Sequence, residues 1–203
     1  MAVTGLLLSA GAGRRMGGPK GLLRDPDGTP WVARVVWTLR SGGCTRVLVV
    51  VGAASGEVRA LLPEGVEVVT AQDWAQGMGA SLRAGLDALA RDGAGGGDAV
   101  LVTLVDLPGV TAEVVARVAA RAAASVLARA AFAGVPGHPV LIGREHWAGV
   151  AAAAGGDAGA RAYLAAHADQ VELVECGDVG SGQDVDTPAD LRRPAAAPGP
   201  PEA

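Results

Sequence analysis

The chain has 203 residues, of which half are apolar, and a formal net charge of −4 at pH 7. This length and apolar content predict one domain with a sizeable core over residues 1–193, followed by a disordered proline- and alanine-rich tail at 194–203. The slightly acidic balance excludes nucleic-acid binding through a broad basic face. No apolar run is long enough to span a membrane and no leader precedes the first strand, so we expect a cytoplasmic protein without membrane contact.

The predicted elements alternate between strands and helices. Short apolar runs bounded by glycine or charged residues predict buried strands, and amphipathic windows between them predict helices. In chain order the sequence predicts a strand at 3–9, a helix at 31–40, a strand at 46–51, a short helix at 55–62, a strand at 66–70, a helix at 80–90, a strand at 98–105, a helix at 111–122, strands at 126–133 and 138–142, helices at 143–153 and 158–167, a strand at 171–175 and a closing helix at 187–192.

This alternation predicts an α/β fold, a Rossmann-like three-layer α/β/α arrangement around a mainly parallel mixed sheet. In such a sheet, ligands bind at the carboxyl ends of the strands. A glycine-rich loop follows the first predicted strand, and Asp106 follows the fourth. We therefore expect the loop and this carboxylate to lie at the same rim.

Lys20 is the only lysine of the chain, while the other sixteen basic residues are arginines. This pattern is typical of a GC-rich coding bias that replaces lysine wherever the protein tolerates arginine. A lysine is a compact point charge on a flexible stem, whereas an arginine is a planar fork. The surviving lysine therefore indicates phosphate chemistry in a narrow space, and the alternative is that it survived by chance.

The loop from Gly11 to Lys20 combines glycines with positive charge. Glycines expose consecutive backbone N–H donors to an anion, and Arg14, Arg15 and Lys20 add three cations before the first acid, Asp25. This composition suits a triphosphate. The alternative for Arg14 is a solvated loop arginine.

Two common nucleotide motifs do not fit this loop. A Walker loop requires Ser or Thr after its lysine, whereas Gly21 follows Lys20 here. In a dinucleotide fingerprint the third glycine comes one residue earlier than it does in this loop. The fingerprint also requires an acid at the end of the second strand, whereas residues 51–54 contain none. Both classes of site are therefore excluded.

The segment from Leu8 to Lys20 resembles the signature of nucleotidyltransferases that activate molybdenum cofactor and sugar phosphates, with Ser9 in place of the usual first alanine. Later segments resemble the molybdenum cofactor (molybdopterin) cytidylyltransferase-like branch in family order. They are the base-closing segment at 74–85, the metal-binding turn at 106–108, the acceptor half at 134–140 and 156–161, and the closing motif at 184–191. The resemblance covers essentially the whole chain except the tail.

The resemblance implies the fold of the nucleotide-diphospho-sugar transferases and transfer of CMP from CTP to the phosphate of molybdopterin, with Mg²⁺ or alternatively Mn²⁺. It also implies contact with a molybdoenzyme or its chaperone. Ala10 stands where the guanylyl branch usually has a second glycine, which favours CTP. The alternatives are GTP as the substrate, a sugar or polyol phosphate as the acceptor, and a non-catalytic carrier of nucleotide or cofactor.

The same resemblance implies roles for individual residues. It implies catalysis by Arg15 and Lys20; nucleotide binding by Ala10, Gly11, Ala12, Gly13, Lys20, Gly79 and Ser81; metal binding by Asp106 and Asp186; and acceptor binding by His138, Asp157 and Arg161.

Several of these carboxylates and polar side chains have structural alternatives. Asp186 could instead cap the closing helix, and Asp184 competes with it for the metal because alternate residues of an extended segment point the same way. Asp106 could be an N-cap-like turn residue before the next helix, and Ser81 could likewise be a helix N-cap.

The acceptor residues also have structural alternatives. Asp157 and Arg161 are four positions apart, the spacing of an ion pair along one helix face. His138 could be a histidine at a strand edge. Together with His146 and His167 it is too widely spaced to indicate zinc, and Cys44 and Cys176 have no metal or redox spacing.

Overall fold

The computed structural model describes residues 1–192, so the predicted tail at 194–203 lies outside the described residues. Seven strands are present: β1 (Val3–Ser9), β2 (Arg46–Val51), β3 (Glu67–Thr70), β4 (Ala99–Leu104), β5 (Leu127–Phe132), β6 (Val135–Gly143) and β7 (Val171–Glu175). The α-helices of this region are α1 (Trp31–Ser41), α2 (Ser55–Arg59), α3 (Met78–Arg91), α4 (Ala112–Ala119), α5 (Trp147–Ala153) and α6 (Arg161–Ala166). None of these helices is long and apolar enough to cross a membrane.

The strands form one sheet in the order β3-β2-β1-β4-β6-β5-β7. All neighbouring pairs are parallel except those of β6, which runs antiparallel to both β4 and β5. This confirms the expected mixed, mainly parallel sheet. Because β1 and β4 are parallel neighbours, their carboxyl ends meet at one rim, as predicted.

A hydrophobic core lies on each face of the sheet. Alternate residues of a strand point to opposite faces, so Leu7 packs with α1 and α4 whereas Leu6 packs with α3, α5 and α6. Both leucines have no solvent exposure, and truncation of such a side chain to alanine costs about 2 to 5 kcal/mol. The protein therefore has the three-layer α/β/α arrangement predicted from its sequence.

The predicted closing helix at 187–192 is wrong, because only a 3-10 turn at Asp190–Arg192 forms there. The two alanine-rich helices are also shorter than predicted. Residues 144–146 form a 3-10 turn before α5, and residues 156–158 form another before α6. Alanine-rich stretches favour helix without marking where it begins, so these boundaries were not readable from the pattern.

Candidate active site

A cleft of about 400 Å³ opens at the carboxyl ends of β1 and β4. Its wall is formed by the loop after β1, the segment before α3, the end of β4 and one residue of the turn before α6. The lining residues are Leu8, Ser9, Ala10, Gly11, Ala12, Gly13, Arg14, Lys20, Gly21, Trp74, Ala75, Gln76, Gly77, Met78, Ser81, Leu104, Val105, Asp106 and Asp157.

The loop after β1 folds tightly around Gly13. The carbonyl of Gly13 accepts hydrogen bonds from the N–H groups of Met16 and Gly18, at 2.9 and 3.2 Å. Gly13 has φ +58°, and a Cβ atom built on it would lie 1.8 Å from the carbonyl oxygen of Gly18. Glycine is therefore required at this position, and the turn brings Lys20 back toward the sheet.

Lys20 joins two carboxylates that are distant in the sequence. Its Nζ donates to Asp106 Oδ2 at 2.6 Å and to Asp186 Oδ1 at 2.5 Å. Burial lowers the pKa of Lys20, but the hydrogen bonds and charges of the two carboxylates outweigh this and hold its pKa above the ordinary value. The hydrogen bond from Lys20 holds the pKa of Asp186 below its usual range. Lys20 and Asp186 are therefore both charged at neutral pH.

Asp106 has a second oxygen that can bind a cation. Its Oδ1 is buried and has no hydrogen-bond partner among the described residues. A buried carboxylate oxygen without a partner is costly unless a ligand completes it. Within residues 1–192, no group of three or more His, Cys, Asp or Glu could hold a metal ion. The cluster around Lys20 offers two carboxylates, Asp106 and Asp186, as ligands for a divalent cation. That donor set fits Mg²⁺ or Mn²⁺, since hard cations take oxygen ligands and Mg²⁺ keeps several waters.

Asp186, rather than Asp184, faces the lysine. Asp186 also accepts a hydrogen bond from Nη1 of Arg15 at 3.0 Å. The Arg15 side chain is 76% exposed, so this contact lies at the surface. Asp184 is exposed and Val185 between them is buried. The geometry thus favours Asp186 of the two competing carboxylates.

The capping alternatives for the two carboxylates are not observed. The carboxylate of Asp186 contacts Arg15 and Lys20, and it is Asp190 that accepts from the N–H groups of Asp186 and Thr187. Thr111 caps α4 by accepting from the N–H of Val114 at 3.2 Å. Both Asp106 and Asp186 therefore keep their side chains directed at Lys20.

The segment before α3 forms the wall opposite the glycine loop. Trp74, Gln76 and Met78 line the cleft, and Trp74 and Met78 also pack against the core on the α3 side of the sheet. Ser81 is the fourth residue of α3 and 5% exposed, so it is not the helix N-cap. Gly79 is buried away from the cleft, where a Cβ atom would lie 2.6 Å from the backbone nitrogen of Gly155.

The acceptor residues are divided between the cleft and its surroundings. Asp157 lines the cleft, whereas His138 and Arg161 do not. In the described part of the chain no salt bridge joins Asp157 to Arg161, since Asp157 belongs to a 3-10 turn and α6 begins at Arg161. Burial, reinforced by the charge of Arg129, lowers the pKa of His138 to about 4, so this imidazole is neutral at pH 7.

The structure therefore brings together most of the predicted residues. Those that line the cleft are Ala10, Gly11, Ala12, Gly13, Lys20, Ser81, Asp106 and Asp157. Asp186 and Arg15 reach the cluster through their contacts with Lys20 and with each other. The sequence analysis covered Trp74 and Gln76 only as part of the base-closing segment at 74–85. It missed Arg129, although a lone arginine within an apolar strand is a readable signal.

Known proteins resemble this chain over most of its length. A family model described as the MobA-like NTP transferase domain matches residues 5–171. Nicotine blue oxidoreductase of Paenarthrobacter nicotinovorans is 38% identical over 201 residues, which cover 94% of this chain and 95% of that protein.

Solved structures share the fold. Rv0371C of Mycobacterium tuberculosis, in complex with manganese, superposes with a TM-score of 0.76 at 27% identity, covering 95% of this chain and 97% of that one. A nucleotidyl transferase from Methanothermobacter superposes with a TM-score of 0.76 at 23% identity, covering 93% of this chain and 94% of that one, and supports the fold alone. From the family match over most of its length, the chain belongs to the MobA-like NTP transferase domain family.

Proposed function

We propose that the chain transfers CMP from CTP to the phosphate of an acceptor, molybdopterin or molybdenum cofactor, and releases pyrophosphate. The observation that carries this proposal is the placement of Lys20 between Asp106 and Asp186 at a glycine-lined cleft. A cation and two carboxylates beside backbone donors are the groups that a triphosphate and its divalent ion require.

The proposed reaction is an in-line displacement at phosphorus. An oxygen of the acceptor phosphate forms a bond to the α-phosphorus, while the bond from the α-phosphorus to the bridging oxygen breaks. Pyrophosphate leaves with that oxygen and its electron pair. Negative charge develops on the leaving group and on the non-bridging oxygens, so catalysis rests on positioned positive charge.

Lys20 and Arg15 are the cations that we assign to the phosphates. Lys20 is partly buried and tethered on both sides, whereas Arg15 is exposed and can move onto a phosphate that enters the cleft. The backbone from Ala10 to Gly13 cradles the nucleotide, and Ser81 offers a hydroxyl from the opposite wall. Gly79 contributes indirectly, because its lack of a side chain lets α3 approach Gly155.

Asp106 and Asp186 would hold the divalent ion, which supplies Lewis-acid stabilisation of the phosphate charge. Rv0371C, 27% identical, was solved with manganese, which supports a divalent ion here as well. Oδ1 of Asp106 has no hydrogen-bond partner among the described residues, and Lys20 already neutralises part of the carboxylate charge. Lys20 must therefore share these carboxylates with the ion or turn from them toward the phosphates.

CTP is the nucleotide that we propose. Ala10 is 3% exposed and lines the cleft, so its methyl group narrows the base slot at a position where glycine would leave room. The test is pyrophosphate release with CTP, GTP, ATP and UTP in turn, with Mg²⁺ or Mn²⁺, with and without reduced pterin cofactor. Release with GTP and not with CTP would overturn the choice of base.

The acceptor is proposed to contact His138, Asp157 and Arg161. Asp157 stands at the cleft, and the other two lie on the same side of the sheet beyond β4. Replacing molybdopterin by sugar or polyol phosphates in the same assay tests this acceptor. A molybdoenzyme or its chaperone is the protein partner that we propose for delivery of the product.

A carrier that binds nucleotide without turnover is the alternative within the same fold. The presence of Lys20, Asp106 and Asp186 in one cluster argues against it, because a carrier has no need of a cation between two carboxylates. An oxidoreductase is a second candidate, favoured by the 38% identity to nicotine blue oxidoreductase. Reduction of nicotine blue with a nicotinamide or flavin donor, without pyrophosphate release, would select it.

We also propose that residues 1–193 form one domain and that the protein is cytoplasmic. One continuous sheet contains all the strands named above, which supports the first proposal. Cys44 and Cys176 are free and buried, which is compatible with a reducing compartment. Cell fractionation and limited proteolysis test the two proposals.

A further inference from the structure

Arg129 is the one charged residue of strand β5, whose other members are leucine, alanine and phenylalanine. Its Nε and Nη2 both donate to the carbonyl oxygen of Gly137, at 3.1 and 3.0 Å. The side chain is half-buried, and no carboxylate of residues 1–192 forms a salt bridge with it. A guanidinium has five N–H donors, so most of its hydrogen-bonding capacity is left for a ligand.

Other basic groups surround Arg129. Burial lowers the pKa of Arg129, and the charge of Arg161 lowers it further. The charge of Arg129 in turn adds to the burial that lowers the pKa of His138. Two guanidinium groups and an imidazole therefore lie close enough to influence one another, and within residues 1–192 neither arginine is in a salt bridge. Such an arrangement is unfavourable by itself and becomes favourable when an anion binds.

The register of the sheet connects this basic cluster with the cleft. Val102 of β4 pairs with Val140 of β6, and Val140 pairs with Arg129 of β5. Continuing the β4–β6 register by two residues places His138 beside Leu104, which lines the cleft. Since adjacent strands are about 4.8 Å apart, β5 lies about 10 Å from β4.

Arg129 also points to the side of the sheet on which the cleft is built. Leu127, two residues before it, and Val140, its partner across the strands, both pack in the core under α3. Arg161 begins α6, whose Leu164 packs in the same core. The basic cluster is thus a continuation of the wall formed by the start of α3 and by Asp157.

We propose that Arg129, with Arg161 and His138 beside it, binds an anionic group of the acceptor that is remote from the attacking phosphate. This inference rests on the proposed transfer reaction and adds a requirement to it. The acceptor carries a second oxyanion or comparable negative group, about two strand spacings from the phosphate that reacts at the end of β4. Arg129 then selects and positions the acceptor without touching the reacting phosphorus.

Inorganic phosphate is the probe for the site itself. The chain has three histidines, so the imidazole resonances of His138 can be assigned by comparison with H138Q. Titration with phosphate at constant ionic strength should shift the His138 resonances of the parent protein. R129Q and R161Q should lose most of this shift, and R91Q, at the far end of α3, should keep it.

Two outcomes would overturn the anion site. One is a His138 resonance that phosphate leaves unmoved in the parent protein. The other is a shift that both R129Q and R161Q retain. R161Q keeps the test valid if R129Q disturbs the hairpin, because Arg161 is exposed and leaves the Gly137 carbonyl untouched.

Kinetics separate this inference from the proposed function. In R129Q the KM for the acceptor should rise about tenfold or more, the loss expected for a charge-assisted hydrogen bond, with the KM for the nucleotide unchanged. If the parent enzyme transfers CMP and R129Q keeps the parental acceptor KM, the inference falls and the transferase stands. If phosphate shifts His138 but no phosphorylated acceptor receives CMP, the transferase falls and the anion site stands.

Discussion

The ammonium of Lys20 lies 2.6 Å from Oδ2 of Asp106, although the two residues are 86 positions apart in the chain. The contact joins the loop after β1 to the end of β4, and both side chains are about 15% exposed. Asp186 completes the cluster from the other side at 2.5 Å. A point charge fits between two carboxylates in so narrow a space, and this fit explains why a lysine stands in a chain otherwise basic through arginine.

Lys20→Arg should reduce the rate of nucleotidyl transfer about a hundredfold while leaving the fold intact. The planar guanidinium is larger than an ammonium and cannot occupy the same point between the carboxylates, and small misplacement of a catalytic group costs rates of this order. The measurement is kcat from pyrophosphate release, with a thermal melt to confirm folding. Arg91→Lys is the control, and a fully active Lys20→Arg enzyme would mean that the lone lysine is an accident.

Amide substitutions should distinguish Asp106 and Asp186, which we assign to the metal, from the nearby Asp184. Asp106→Asn and Asp186→Asn should each lower kcat about a hundredfold or more and raise the concentration of Mg²⁺ or Mn²⁺ needed for activity. Asp184→Asn should change kcat by no more than about twofold, because the exposed Asp184 is not part of the cluster. If Asp184→Asn lost activity and Asp186→Asn stayed active, Asp184 rather than Asp186 would be the metal ligand.

Gly79→Ala should destabilise the protein by about 1 to 3 kcal/mol, because the new methyl group would press on the backbone of Gly155 at 2.6 Å. The helical preference of alanine over glycine, about 1 kcal/mol, acts in the opposite direction and is outweighed. Gly56→Ala in α2 is the matched control, since no atom lies within 4 Å of its added Cβ. Urea unfolding decides, and equal stability of the two variants would refute the close packing of α3 on Gly155.

His138 should make stability depend on pH between 6.5 and about 4. In the unfolded chain the imidazole takes up a proton near pH 6.5, whereas in the folded protein it stays neutral until about pH 4. The unfolded state therefore binds more protons in this window, and the free energy of unfolding falls as the pH is lowered, by about 3 kcal/mol.

Urea unfolding of the parent and His138→Gln across this window measures that dependence. In His138→Gln the free energy of unfolding should fall less steeply as the pH is lowered, because the contribution of the histidine is gone. The contribution of the carboxylates is the same in both proteins. Identical slopes for the two proteins would show that His138 is not held neutral by its surroundings.

The strands nearest the site were predictable because their apolar runs end sharply. β1 and β2 have the predicted boundaries, since each is a short, mostly apolar run that is buried along almost its whole length. The glycine loop and Asp106 were placed at one rim by the rule that parallel strands share their carboxyl ends. The position of the cleft thus follows from local pattern and one topological rule.

The remaining features depend on contacts that no local pattern encodes. The choice of Asp186 over Asp184 follows from Lys20 and from the turn that Asp190 holds together, both set by tertiary structure. β6 begins at Val135, before the predicted residue 138, because pairing with β5 overrides the low strand preference of Pro136 and Gly137. Arg129 meets His138 only through this pairing.

Transfer of isotopic label from CTP to the acceptor tests the central claim most directly. With a divalent ion and a phosphorylated acceptor, label at the α-phosphorus should move to the acceptor in the parent protein and stay on CTP in Asp106→Asn. Label at the γ-phosphorus should leave as pyrophosphate. Label from the γ-position on the acceptor, or α-label that remains on CTP with every phosphorylated acceptor, would contradict nucleotidyl transfer at the Lys20–Asp106–Asp186 cluster.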